Sequence, residues 1–163
     1  MTFTEATPED LPHLLALQKI CYRQEAEIYQ DFNIPPLTQT LESINQDIKQ
    51  QLFLKAEAEG KFIGSVWGCL EDDTCKIGRL IVHPDFQNQG VGTQLMCAIE
   101  SAFPKAKRYE LFTGYQSLNN LFLYQKGIQW ISSGENEFFG GTGISREEAL
   151  KSQEYEKYMD TAF

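Results

Sequence analysis

The stretch from residue 77 to residue 92 restricts the possible folds more than any other part of the sequence. Its first part, 77–82, is mostly apolar and ends at His83-Pro84, where the proline supplies no backbone N–H and stops a strand. A polar loop follows, and Gly90-Val91-Gly92 opens a segment with apolar residues at helical spacing. A strand, a glycine-bearing loop and a helix in this order predict a unit that crosses over one face of a sheet.

The glycines at the predicted helix start indicate a binding site for a phosphate or pyrophosphate group. Glycine leaves its backbone N–H uncovered and lets a ligand approach closely, and a helix N-terminus carries partial positive charge. The sequence contains neither Gly-x-Gly-x-x-Gly after a strand nor the Gly-Lys-Ser/Thr of a P-loop. These two nucleotide-binding motifs are therefore excluded, and Gly-Val-Gly taken alone is not specific for one ligand.

Turn and capping residues divide the rest of the chain into strands and helices. Strands are predicted at 2–6, 51–58, 61–70, 75–82, 109–113, 128–132 and 155–159, and helices from 8 to a break at 33–36 and at 40–49, 90–103, 117–126 and 145–152. Glu59-Gly60 and the polar run 71–74 are predicted turns. Hairpins combined with crossover helices predict one α/β (α+β) domain over residues 1–163, with a mixed sheet and helices on its faces.

Apolar spacing within the helices predicts which side chains form the core. These are Leu11, Leu14, Leu15, Leu17, Cys21 and Ile28 in the first helix, Leu41, Ile44 and Ile48 in the second, and Val91, Leu95, Ala98 and Ile99 after the glycines. Cys97 is interpreted as an inert core residue, because free cysteines behave as small apolar side chains.

The charge balance restricts the partners. Fourteen basic and 23 acidic residues give a net charge of −9, which repels polyphosphate backbones and argues against nucleic-acid binding. The sequence shows no secretory signal and no apolar run of bilayer length, so we predict a cytoplasmic protein with no membrane partner. The cysteines form no Cys-x-x-Cys and the two histidines lie far apart, which predicts reduced thiols and no metal. The turn at 71–74 would pair Leu70 with Cys75, so Cys69 is poorly placed for a disulfide.

Two separate motifs resemble those of the GNAT superfamily, the acetyl-CoA-dependent N-acetyltransferases. Gln87-Asn88-Gln89-Gly90-Val91-Gly92 resembles motif A, Gln/Arg-x-x-Gly-x-Gly/Ala, and follows the family's strand and His/Asp-Pro lead-in at the usual distance. Residues 117–128 resemble motif B, in which Leu-Tyr-x-Lys precedes a glycine and an apolar residue. The resemblance covers residues 2–132 and implies the GNAT fold. That fold is a mixed, mostly antiparallel central sheet, here of about six to seven strands. The sheet is splayed between the motif A strand and the next, with helices on both faces.

The resemblance also implies acetyl-CoA as the acyl-donor substrate and places the residues that bind it. The pantetheine arm would pair with the backbone of the motif A strand, where one N–H would polarise the thioester carbonyl. The pyrophosphate would lie on the loop and helix start. The implied binding residues are Leu80, Ile81, Val82, Gln87, Asn88, Gln89, Gly90, Val91, Gly92, Thr93 and Asn120.

Tyr124, in motif B, is the implied general acid that protonates the departing CoA thiolate. Packing on an amphipathic helix is the alternative role for this tyrosine. The general base stays open. Some relatives place a glutamate before motif A, where this chain has Lys76, Gly78 and Arg79. Others place one before motif B, which makes Glu110 a candidate; a solvated Glu110 and deprotonation through water are the alternatives. His83 fits the lead-in to the loop and is interpreted as structural.

The resemblance implies an enzyme in which a primary amine directly attacks acetyl-CoA within a ternary complex. A small-molecule acceptor is the leading hypothesis, and the aromatic and acidic residues between 22 and 36 suggest a cationic amine. An ordinary solvated helix face is the alternative for those residues. A protein or peptide N-terminal acetyltransferase and a non-catalytic acyl-CoA-binding sensor also remain open. The segment 134–150 is interpreted as a lid over the acceptor or as a contact in a homodimer.

Overall fold

The computed structural model describes residues 1–111, in which five strands form one sheet in the order β1-β2-β3-β4-β5. The strands are β1 (Thr2–Glu5), β2 (Leu52–Ala58), β3 (Lys61–Glu71), β4 (Thr74–Val82) and β5 (Arg108–Leu111). The helices are α1 (Leu11–Tyr29), α2 (Pro35–Thr38), α3 (Leu41–Asp47) and α4 (Val91–Ala102), with 3₁₀ turns at Pro8–Asp10 and Pro84–Phe86. Strands β1 to β4 are antiparallel, whereas β4 and β5 are parallel because α4 crosses between them. The predicted mixed sheet is confirmed.

Two tight hairpins set the register of the antiparallel strands. Glu59 and Gly60 join β2 to β3 with φ of 52° and 73°, the left-handed conformation that two-residue hairpin turns favour. The turn between β3 and β4 pairs Leu70 with Cys75, as predicted, and Cys69 lies opposite Lys76. The side chains of Cys69 and Cys75 therefore do not form a disulfide, and all four cysteines are free thiols.

Apolar side chains pack on both faces of the sheet. Phe53 and Leu54 are neighbours in β2 and therefore point to opposite faces, and each belongs to a different buried cluster. The larger cluster joins the sheet to α4 through Val91, Leu95, Met96 and Ile99. The smaller cluster joins it to α1 and α3 through Leu11, Leu14 and Ile44. Helices on both faces of a mixed sheet confirm the predicted fold class.

The connection from β1 into α1 is held by a carboxylate. Asp10 Oδ2 accepts a hydrogen bond from Thr7 N–H at 2.8 Å, and Asp10 Oδ1 lies 2.9 Å from Lys55 Nζ on β2. Pro8 begins this first turn, as predicted, but the turn is 3₁₀ and the α-helix starts at Leu11. The sequence thus located the helix start correctly and misjudged only the geometry of its first turn.

Three side chains predicted to be buried are exposed. Ile28 in α1 and Leu41 at the start of α3 are each 48% exposed. Ile28 lies about 200° around α1 from the buried Ala26, since each residue advances a helix by about 100°. Cys97 is exposed for the same reason, because it lies about 200° from Leu95 on α4.

The proline pair Pro35-Pro36 does more than interrupt a helix. It opens the short helix α2, which the sequence interpretation missed. Proline is tolerated in the first turn of a helix because the N–H groups there have no intrahelical partner. Pro36 is buried in the described structure, so the pair also contributes to packing beside α1.

Several predictions concern residues outside 1–111. Motif B with Asn120 and Tyr124, the segment 134–150 and the later strands lie there. The pairing of β4 with β5 is described only as far as Ile77 and Leu111, so the splay of the sheet stays a prediction. Within the described residues, no helix is both long and apolar enough to cross a membrane. The same part of the chain has no cluster of three or more His, Cys, Asp or Glu side chains suited to a metal ion.

Candidate functional site

The end of β4 carries backbone groups that its neighbour β3 does not use. Gly64 of β3 lies opposite Val82, and the next residue, His83, donates its N–H to Ile63 C=O at 2.8 Å. Because the backbone groups of a strand alternate between its two edges, the N–H and C=O of Val82 point away from β3. Within residues 1–111, pairing with β5 reaches only Ile77, so no strand covers this edge of Val82.

The loop after β4 has two residues in the left-handed conformation. Asn88 and Gly90 have φ of 59° and 80°. Left-handed residues in a turn direct successive N–H groups into one concavity that suits an anion. A Cβ on Gly90 would meet only Gln94 Nε2, at 3.8 Å, so this position favours glycine for its backbone conformation rather than for lack of space. The loop predicted from motif A therefore has a backbone suited to binding phosphate.

The first turn of α4 adds further N–H groups to this concavity. Gln94 N–H bonds to Gly90 C=O at 3.0 Å, whereas the N–H groups of Val91, Gly92 and Thr93 have no partner within residues 1–111. Gly90 is the N-cap residue and supplies no side-chain acceptor. The buried Val91 fixes the position of the helix end against the sheet. Free N–H groups at the N-terminus of a 12-residue helix form an anion-binding arrangement.

Two glutamine side chains brace the loop. Gln87 Nε2 donates to Val82 C=O at 3.2 Å, and Gln89 Nε2 donates to Asp85 C=O at 3.0 Å. Gln87 thereby ties the loop to the open edge of β4. The side chains of Gln87 and Gln89 thus bond to backbone carbonyls of β4 and of the turn after it, and they leave the N–H groups of residues 88–93 available to a ligand.

The contacts of His83 lie within the turn after β4 and favour the structural role expected of it. Its Nδ1 accepts a hydrogen bond from Asp85 N–H at 3.3 Å, and its ring meets Phe86 edge-on with centroids 6.0 Å apart. Both contacts hold the 3₁₀ turn between β4 and the loop. These partners give no support to His83 as a catalytic base.

Glu110 lies away from the open edge of β4. It is opposite Lys76 in the parallel pair, and its Oε1 lies 3.1 Å from Arg108 Nη2. Leu80 is four positions after Lys76, which is about 13 Å along an extended strand. Two cationic neighbours and this distance give no support to Glu110 as the base, and that role stays a prediction.

The sequence interpretation missed a β-bulge at the site. Trp67 pairs with Gly78 and Ser65 with Ile81, so one residue of β3 lies opposite two residues of β4. One of those two, Arg79, has a φ of 47°. A Cβ on Gly78 would overlap the Trp67 ring, so Gly78 allows β3 and β4 to stay close there. Gly78 was the available signal, because a glycine inside a strand often marks a bulge.

Three of the residues expected to attract a cationic acceptor have local contacts or face solvent. Glu27 pairs with Arg23 on the surface of α1 at 3.9 Å. Asp31 Oδ1 accepts from Asn33 N–H at 2.8 Å, which closes the turn after α1. Phe32 is 53% exposed. These contacts favour the solvated-face alternative for Glu27, Asp31 and Phe32.

Comparison with known proteins identifies the family. A family model described as Acetyltransferase (GNAT) family matches residues 14–128. A comparison with curated proteins gives no match. Among solved structures, PaiA N-acetyltransferase from Thermoplasma acidophilum, in complex with coenzyme A, is 19% identical with a TM-score of 0.63, over 77% of this chain and 88% of that chain.

Two further structures have the same fold. The ribosomal-protein-S18-alanine N-acetyltransferase from Escherichia coli is 16% identical with a TM-score of 0.61, over 76% of this chain and 74% of that chain. An aminoglycoside acetyltransferase from an uncultured soil metagenomic sample is 17% identical with a TM-score of 0.59, over 76% of this chain and 84% of that chain. The family model spans most of the chain and the solved acetyltransferases share its fold, so this chain belongs to the GNAT family of acetyltransferases, whose acetyl donor is acetyl-CoA.

Proposed function

We propose that this chain transfers an acetyl group from acetyl-CoA to the primary amine of a small molecule, by direct attack in a ternary complex. The observation that carries the proposal is the position of the open Val82 edge immediately before the loop and helix start at 87–93. An extended amide chain and a pyrophosphate are the two chemical groups that these neighbouring surfaces fit. Both occur in acetyl-CoA. We further propose that the reaction takes place in the cytoplasm, in one domain spanning residues 1–163.

The donor would be held through backbone atoms. The N–H groups of residues 88–93 would bind the pyrophosphate, and the N–H and C=O of Val82 would pair with the amides of the pantetheine arm. Gln87 Nε2 already bonds to Val82 C=O at 3.2 Å, so this side chain would release the carbonyl when the arm binds. Acetyl-CoA supplies a thioester, which an amine can attack without a covalent enzyme intermediate.

The chain's own groups then assist at two atoms. A backbone N–H of the segment 80–82 donates a hydrogen bond to the thioester oxygen, where negative charge develops as the amine lone pair attacks the carbonyl carbon. The C–S bond breaks, and the hydroxyl of Tyr124 donates a proton to the departing sulfur. The proton lost by the amine passes to water, or to Glu110 in the alternative.

The experiment that tests this function is the release of CoA thiol from acetyl-CoA with separate pools of amines. The pools are polyamines, aminoglycosides, amino acids and N-terminal peptides. We expect one small-molecule pool to support release, and we expect Tyr124→Phe to lower kcat by about 10²-fold or more, the usual contribution of general acid–base catalysis. Tyr109→Phe is the matched control, because the Tyr109 hydroxyl donates to the carbonyls of Glu100 and Phe103 at the far end of α4.

Three other outcomes would assign a different function to the chain or a different role to Tyr124. Release with N-terminal peptides alone would make the chain a protein or peptide acetyltransferase. Stabilisation of the protein by acetyl-CoA, without release in any pool, would favour a non-catalytic acyl-CoA-binding sensor. Equal loss of kcat in Tyr124→Phe and Tyr109→Phe would assign Tyr124 to packing.

A further inference from the structure

The β-bulge in β4 presents an arginine beside the predicted reaction centre. Arg79 lies one residue before Leu80, in the strand that would bind the thioester. Four other non-glycine residues with positive φ, Gln30, Glu59, Asp72 and Asn88, lie at a helix end, in hairpin turns or in the loop. Within residues 1–111, Arg79 is the one such residue inside a strand. A non-glycine residue with this backbone conformation is strained and needs support from its surroundings. Such residues often mark a functional site.

Two buried glutamines fix the position of the guanidinium group. Arg79 Nη1 donates to Gln18 Oε1 at 3.3 Å and to Gln39 Oε1. Gln18 lies on α1 and is 3% exposed, and Gln39 follows α2 and is 7% exposed. Gln18 Nε2 also donates to Pro36 C=O at 2.8 Å. The guanidinium therefore lies where α1 and the connection through α2 meet β4.

The positive charge of Arg79 has only neutral direct partners in the described structure. Both acceptors of Nη1 are amide oxygens, and within residues 1–111 no carboxylate lies within ion-pair distance of the group. Asp47 is one step removed, since its Oδ2 accepts from Gln39 Nε2 at 2.6 Å. Burial lowers the pKa of Arg79, which indicates that its charge is poorly solvated. A half-buried guanidinium with further N–H donors is suited to bind a carboxylate in a two-pronged fashion.

We propose that Arg79 binds a carboxylate of the acceptor, so that the preferred substrates are amines that also carry a carboxylate, such as amino acids. This inference rests on the proposed function, because it takes the amine to be the nucleophile. The carboxylate binds the guanidinium on the α1 side of the bulge, and the amine reaches the thioester beside Leu80–Val82. Arg79 is thus a specificity-determining residue, and an acceptor with cationic groups only is disfavoured.

The test compares each amino acid with its α-carboxamide. Each kcat/KM is expressed per unprotonated amine, because amidation also lowers the pKa of the amino group. The kcat/KM values of wild type are measured for leucine, phenylalanine and glutamate and for their α-carboxamides, together with Arg79→Gln, Arg79→Lys and the control Lys107→Gln. Lys107 is exposed and pairs with Asp73 at the other end of β4. We expect wild type to prefer at least one acid over its amide about 10- to 100-fold, the effect of a charge-assisted hydrogen bond.

Arg79→Gln is expected to remove this preference by raising KM for the acid, with the amide changed less than about twofold, while Arg79→Lys retains part of it. An equal loss for acid and amide in Arg79→Gln would assign the arginine to structure alone and overturn the proposal. The same conclusion would follow if wild type turned over both forms equally well, although the proposed acetyl transfer would then stand.

A binding measurement distinguishes failure of the Arg79 proposal from failure of the proposed acetyl transfer. Calorimetry with N-acetyl-leucine, N-acetyl-phenylalanine and N-acetyl-glutamate and their amides, in the presence of CoA, requires no turnover. Tighter binding of an acid that Arg79→Gln abolishes would support the anion site even if no amine released CoA, in which case only the proposed function fails. Equal binding of acids and amides by wild type would refute the assignment of Arg79.

Discussion

Gly64 on β3 offers a quantitative test of how the fold positions the N-terminus of α4. A Cβ at this position would lie 2.9 Å from Leu95 Cδ1, 3.1 Å from Val91 Cγ1 and 3.1 Å from Ile81 O, whereas ordinary contacts begin at 3.4 Å. Leu95 and Val91 are fully buried, and the Ile81 carbonyl belongs to the sheet. Gly64→Ala therefore requires α4 to move by about half an ångström at its N-terminal end, because tightly packed interiors have no spare volume.

We expect Gly64→Ala to destabilise the fold by about 1–3 kcal/mol, the usual cost of overpacking a core. For a chain of this length, each kcal/mol lowers Tm by about 2–4 °C, so the expected decrease is about 2–12 °C. The helix start carries the N–H groups that we propose bind the pyrophosphate. A displacement of this size should weaken CoA binding by up to about tenfold, since misplacement by 1 Å can cost a factor of 10².

Gly68→Ala is the matched control at the other end of the same helix. A Cβ there would lie 2.8 Å from Phe103 Cε2 and 3.0 Å from Ile99 Cγ1, at the C-terminal end of α4. It should also lower Tm, but it should leave the Kd for CoA unchanged. Thermal unfolding followed by circular dichroism and calorimetric titration with CoA measure the two quantities. Equal weakening of CoA binding by both variants, or a Tm of Gly64→Ala within 1 °C of wild type, would refute the reasoning.

Two further predictions follow from the described contacts. Burial tends to raise the pKa of Asp10, but hydrogen bonds from Thr7 and Lys55 outweigh it and hold that pKa below 3.8. Asp10→Asn removes the charge that pairs with Lys55 and should therefore cost about 1 kcal/mol at pH 7 in urea unfolding. The deficit should shrink as the pH falls below 3.8, whereas a deficit independent of pH would contradict this account. Limited alkylation at pH 8 should modify the exposed Cys97 first, because burial raises the pKa of Cys75 to about 12. Peptide mass spectrometry measures the order, and equally fast labelling of Cys75 would contradict it.

The hairpins could be predicted because the residues in and beside each turn determine it. Glu59-Gly60 and the acidic turn before Thr74 lie between runs of β-forming residues, so the turn residues fixed both the boundaries and the pairing of Leu70 with Cys75. The same holds for the start of α4, where Gly90 adopts a left-handed conformation that glycine accepts at little cost. Features encoded within a few neighbouring residues were therefore accessible from the sequence.

The exposure of Cys97 shows how residue type can mislead where geometry does not. The apolar stripe of α4 passes through Leu95 and Ile99, and Cys97 lies on the opposite side of the helix from both. Its position off the stripe is typical of an exposed residue, whereas the general tendency of cysteine to be buried points the other way. Periodicity within a helix is the stronger evidence when the stripe is continuous.

The orientation of Arg79 could not be obtained from the spacing of residues at all. Strict alternation along β4 would place Arg79 on the same face as Ile77, which packs in the cluster beneath α4. A guanidinium there would lie among apolar side chains. The bulge inserts one residue and turns Arg79 toward Gln18 and Gln39 on the other side of the sheet. A single extra residue thus decides whether β4 presents a cation to the face of the sheet that packs against α1. The bulge depends on the fit between Gly78 and Trp67, which lie on different strands.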